Sequence, residues 1–199
     1  MNRIAQAAAA LLVAAFSWQP ADACEEYRSL STAEMKEFRD KLVETDADPL
    51  DRMFAFEELN CSDNPTIRAY AVREGLKNAT DPLVRHQIMF EALMQKTRID
   101  VELSKAGKLK GGDKRFYDKN DGVYSREVSF RDRASGCIGI SFNRCASNAS
   151  LIISGDTVEY THGAMIGVFK LTEQNELVGF LRPDNRSEYS KIPAIIRLF

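Results

Sequence analysis

The sequence predicts an α+β chain in which helices come first and strands follow. Apolar residues recur at helical spacing between Ser31 and Thr97, proline-led helix starts stand 16 and 17 residues apart, and beyond residue 122 the apolar period falls to two. That order implies an N-terminal antiparallel helical bundle packed on a C-terminal antiparallel β-sheet, closed as a small barrel or folded as a sandwich. The expected divisions are a signal peptide at 1–23, a helical domain at 24–104, a basic connector at 105–122 and a β domain at 123–199.

The first division rests on Arg3, an apolar run from Ile4 to Phe16, Pro20, and the small-residue site Ala21-Asp22-Ala23 before Cys24. The run is shorter than the roughly 20 apolar residues of a membrane helix, so removal is expected and not anchoring. Export would place the chain in the periplasm or outside the cell, where cysteines pair. All four cysteines, Cys24, Cys61, Cys137 and Cys145, lie beyond the signal, and an even number allows three pairings. The simplest joins Cys24 to Cys61 and Cys137 to Cys145. The rival is a lipid-modified Cys24, which would leave an odd thiol and would ordinarily have a larger aliphatic residue at Ala21. The single tryptophan, Trp18, falls within the signal, which removes any indole platform for sugars.

Ser31-Thr32-Ala33-Glu34 is a capping-box start, followed by Met35, Phe38, Leu42 and Val43 on one helical face. Three starts of one kind follow at Asp48-Pro49-Leu50-Asp51-Arg52, Asn64-Pro65-Thr66-Ile67-Arg68 and Asp81-Pro82-Leu83-Val84-Arg85. Aspartate or asparagine caps free amides, and proline takes the first helical position, where its missing N–H is not needed. Over residues 48–97 these units resemble HEAT-like helical repeats, whose helices often open with an acidic cap, a proline, an aliphatic residue and an arginine. The first unit departs from that pattern at Asp51. The resemblance implies stacked helices with a protein-binding surface and brings no catalytic residue.

The fourth helix carries Ile88, Met89, Phe90, Ala92, Leu93 and Met94 around a lone polar Glu91, so it is expected to lie buried between the two halves. Residues 105–114, with Gly107, Gly111 and Gly112, read as a connector. Strands are expected at 124–131, 137–142, 150–154, 157–161, 165–171, 177–182 and 194–199, with hairpin turns at Ser154-Gly155-Asp156 and Thr172 to Glu176.

Few residues offer chemistry. His86 and His162 are the only histidines, too few for a zinc site, and no nucleophile elbow, phosphate loop or Cys-x-x-Cys occurs. His162 with Asp156 or Glu159 would form a base and its orienter, although a turn histidine is ordinarily just solvated. Asp118-Lys119-Asn120-Asp121-Gly122 is a tight turn, since its glycine and Ser129 miss the calcium-loop register. Arg52, Arg68 and Arg85 sit in first helical turns, where the dipole disfavours positive charge. Pairs to Asp48, Asp51, Asp81 or neighbouring caps would offset that, an acidic partner being the other use. Lys105, Lys108, Lys110, Lys114, Arg115 and Lys119 form the most basic stretch, suited to a solvated connector or to an anionic membrane surface or acidic polymer. Net charge is −2 overall, about −5 over 24–100 and +3 over 101–199, a balance that gives no sign of bulk nucleic-acid binding.

These readings imply an exported, non-catalytic protein that binds another envelope or extracellular protein without cofactor or metal. The alternatives are an envelope hydrolase with its site between the halves and His162 as base, and a carrier holding a small apolar ligand in the β domain.

Overall fold

The structure, a computed structural model, describes residues 24, 26–44, 46–104, 109, 111–183 and 190–199. The expected signal peptide, Lys105, Lys108 and Lys110 lie outside them. Helices α1 (Thr32–Val43), α2 (Pro49–Asn60), α3 (Pro65–Asn78) and α4 (Pro82–Met94) precede strand β1 (Arg98–Leu103) and helix α5 (Gly111–Lys119). Strands β2 (Val123–Asp132), β3 (Cys137–Ile140), β4 (Ala149–Ser154), β5 (Thr157–His162), β6 (Met165–Leu171), β7 (Leu177–Pro183) and β8 (Ile192–Ile196) follow. The chain is α+β, and of the two sheet forms left open it adopts the barrel. Its strands run in sequence order, each antiparallel to the next, and β8 closes on β1.

Each of the first four helices begins at a capping group. Ser31 Oγ accepts from the amide of Glu34, whose carboxylate accepts from the amide of Ser31. Asp48, Asn64 and Asp81 accept from the amides of Leu50, Thr66 and Leu83 at 2.8 to 2.9 Å, each with proline next. Leu42, Phe56, Leu59, Leu76, Ile88, Met89 and Leu93 form the buried core between these helices. Gly75 on α3 is part of it, because a Cβ there would stand 2.9 Å from Ile88 Cδ1.

Inside the barrel, a glycine stands beside each of the two bulkiest side chains. Leu151, Tyr160, Gly167, Leu181 and Ile192 neighbour one another across β4 to β8, and Ile153, Val158, Phe169, Gly179, Ala194 and Leu103 form the next row. Tyr160 and Phe169 thus project over glycines, and the described side chains fill the interior, as suits eight strands. A carrier of apolar ligands would need that space open. Gly179→Ala would drive a Cβ into the Val168 carbonyl oxygen and the Phe169 backbone. The expected loss is about 2 kcal/mol or more, read as a lower urea midpoint with unchanged slope.

Two elements differ from the sequence expectation. β1 lies within the segment expected to be helical, and α5 occupies the expected connector. The alternation expected through Tyr124, Arg126, Val128 and Phe130 shifts after Val128, where a bulge puts Arg131 opposite Ile138. β3 ends at Ile140 because Ser141 turns to φ 66°.

Cys24 is bonded to Cys61 and Cys137 to Cys145, with Cα atoms 5.3 and 6.2 Å apart. The first ties the N-terminal segment to the end of α2, and the second closes the β3–β4 loop. Two disulfides fit a non-cytoplasmic compartment. Among the described residues, no helix is long and apolar enough to cross a membrane.

Candidate functional site

The arginines at the helix starts point at neighbouring backbone. Arg52 donates to the carbonyls of Asn78 and Glu44. Arg68 donates to those of Ser62 and Asp63 at 2.7 and 3.1 Å, and stacks on Tyr27 at 4.8 Å. Arg85 donates to Leu76 at 2.8 Å and, from its other nitrogen, to Thr172 in the β6–β7 turn at 2.8 Å. The expected offset to the helix dipole is present, but carbonyls near helix ends supply it, where the expectation was a ladder of carboxylates. Among the described residues, Arg68 and Arg85 make no ion pair. Lys114 pairs with Asp118 on α5, and Arg115 beside it is exposed.

The halves meet along α4. Arg131 of β2 donates to the carbonyls of Met94 and Lys96 at 2.6 Å each, where α4 ends. Glu91, only 1% exposed, pairs with Arg133 and accepts from Gln87 Nε2 at 3.0 Å. Burial pushes its carboxyl above the usual range, and Arg133 opposes that rise. Arg133 also lies over the Phe90 ring. A crevice of about 320 Å³ runs along this seam between Tyr27, Met94, Gln95 and the two barrel arginines. Its arginines are engaged with Glu91 and helix carbonyls.

His162 lies elsewhere. The β4–β5 turn sits near His86 of α4, and β5 carries His162 at its other end. Neither expected orienter serves it. Asp156 is held by Lys170 and Thr157, while Glu159 pairs with Ile152 and Val168 on the opposite face of the strand. The structure brings together residues that composition did not single out. His162 Nδ1 is 2.9 Å from Tyr124 Oη and accepts from Arg126 Nε at 3.2 Å, and Nε2 is 3.2 Å from Ser141 Oγ. Arg126 lies 4.0 Å from the Tyr124 ring centre and also donates to the Ser125 carbonyl.

An arginine can only donate, so the Nδ1 lone pair is taken and the imidazole hydrogen resides on Nε2. That N–H faces Ser141, so in this tautomer His162 cannot remove a proton from Ser141. Burial, then the Arg126 charge, hold the imidazole below its ordinary pKa, so it is neutral at physiological pH. The cluster is therefore one guanidinium surrounded by neutral donors. The sequence signal for it was an arginine on the otherwise apolar inward face of a strand.

The chain matches no family model, no curated protein and no solved structure.

A second exposed feature lies on the helical array. Leu50, Phe54 and Leu83 are 65%, 62% and 71% exposed. The starts of α2 and α4 stand side by side, since Pro49, Arg52, Asp81 and Val84 line one small cavity. Asp51, Glu57 and Glu58 accompany the apolar pair on α2, and burial together with Glu58 pushes the Glu57 carboxyl up. Among the described residues, no group of His, Cys, Asp or Glu is placed to hold a metal ion.

Proposed function

We propose that this is an exported, non-catalytic binding protein of the bacterial periplasm or cell surface. Its helices α1 to α4, read as a HEAT-like stack, dock another envelope or extracellular protein. The observation that carries this reading is the exposure of Leu50, Phe54 and Leu83 on helices that start side by side. Large apolar side chains held out on ordered helices cost solvation free energy unless a partner covers them. The acidic N-terminal half favours a partner with a basic, amphipathic face.

A photo-cross-linking residue at Phe54, in cells that make the protein naturally, should trap a discrete partner. Leu83→Ser should abolish the adduct without changing the thermal midpoint, and the same cross-linker at Val178 on the barrel should not form it. An adduct that persists in Leu83→Ser, or none at all, would refute the docking surface.

A further inference from the structure

We propose that the rim of the barrel is a carboxylate-binding site, in which Arg126 receives a monoanionic carboxylate from solvent while the Tyr124 and Ser141 hydroxyls donate to it and His162 holds both in place.

The geometry has three parts. First, Arg126 is a cation without a counter-charge: among the described residues no carboxylate pairs with it. Its Nε and Nη1 are used by His162 and the Ser125 carbonyl, and Nη2 has no described partner. Second, the neighbouring donors compete for too little acceptor. The Tyr124 hydroxyl and Arg126 Nε both approach Nδ1 of His162, which has one lone pair, so the Tyr124 hydrogen must find an oxygen elsewhere. Third, Tyr160 lies beneath, 1% exposed, with its ring centre 6.2 Å from that of Tyr124. Its buried hydroxyl has no hydrogen-bond partner among the described residues. An unpaired buried hydroxyl is costly, and an acceptor oxygen arriving from outside would relieve that cost.

The ligand class follows from charge and access. One guanidinium with neutral hydroxyl donors balances a single negative charge, whereas a phosphate dianion would leave one charge uncompensated. Ser141 is exposed, and His162 and Arg126 are half-buried, so the group is reachable. Ser141 holds its position through a left-handed backbone, φ 66°, which an L-residue adopts only where its surroundings impose it. Phe116 of α5 packs on Tyr124 at 5.3 Å and gives the site an aromatic wall.

With only two histidines in the chain, the His162 ring nitrogens can be followed by nitrogen NMR on the disulfide-bonded protein during titration with acetate, chloride at matched ionic strength serving as control. Acetate should shift both nitrogens saturably and chloride should not. Arg126→Gln should weaken acetate binding about tenfold or more, and Ser141→Ala and Tyr160→Phe several-fold each. If Arg126→Gln does not fold, Ser141→Ala decides, because that hydroxyl lies on the surface. Absence of a saturable shift, an equal response to chloride, tighter binding of inorganic phosphate than of acetate, or unaltered affinity in Ser141→Ala would each overturn the assignment.

Discussion

Arg133→Ala is expected to lower stability by about 3 kcal/mol or more near neutral pH, because it leaves the Glu91 carboxylate buried without its cation. The loss should depend on pH in a direction that the electrostatics fix. Burial raises the native carboxyl of Glu91 above its free value of 4.5, so the native state holds its proton more tightly than the unfolded chain does. Stability therefore falls as pH rises from that free value through the native one. In wild type Arg133 opposes the rise and shortens that window. Without Arg133 the window extends upward, so the difference between the proteins should be small near pH 4 and full near pH 7. Urea unfolding at the two pH values measures it. Arg133→Ala combined with Glu91→Gln should recover part of the loss, since no charge is then stranded. A deficit that is the same at both pH values would show that Arg133 acts by packing on Phe90 and not by pairing.

Replacing Cys24 and Cys61 together by serine should cost about 4 kcal/mol in the chain-entropy picture, since the bond spans 37 residues. For a chain of this size that corresponds to a fall of roughly 8 to 16 °C in Tm. Removing Cys137 and Cys145, which span 8 residues, should cost about 2.5 kcal/mol. The first bond does more than close a loop. It holds the segment in which Arg28 N donates to the Cys61 carbonyl and Asp63 N to the Arg28 carbonyl, and which brings Leu30 into the helical core. Calorimetry of the two double variants tests the order. A larger loss from the Cys137–Cys145 pair would mean that loop closure is not the controlling quantity.

The capped helix starts were legible because capping is local: an aspartate or asparagine followed by proline fixes its own helix, whatever lies around it. The turns at Gly155 and Gly122 were legible for the same reason, both glycines holding positive φ. β1 was missed although Ile99, Val101 and Leu103 alternate with Asp100 and Glu102, because the helical period ran up to it and its partners β2 and β8 are distant in sequence. α5 was missed because two glycines open it, and its docking depends on Phe116 meeting Tyr124 and on Asp113 accepting from Ser190. The rim cluster draws Tyr124, Arg126, Ser141 and His162 from different strands and loops, so no spacing announces it. The use of Arg52, Arg68 and Arg85 as clamps on backbone carbonyls was hidden too, since every residue type supplies a carbonyl.

Closure of the barrel by β8 has a consequence for how the chain is made. β8 joins β7 to β1, whose residues are synthesised near the middle of the polypeptide. Until Ile192–Ile196 arrive, the sheet has two bare edges, and the contact that seals it spans most of the second half of the sequence. Long-range pairing of this kind is slow, so the barrel stays open until its last strand arrives. The same interval exposes strand edges to other chains. Nascent molecules stalled before residue 192 should therefore be the ones that chaperones hold and proteases cut, whereas released molecules should resist both.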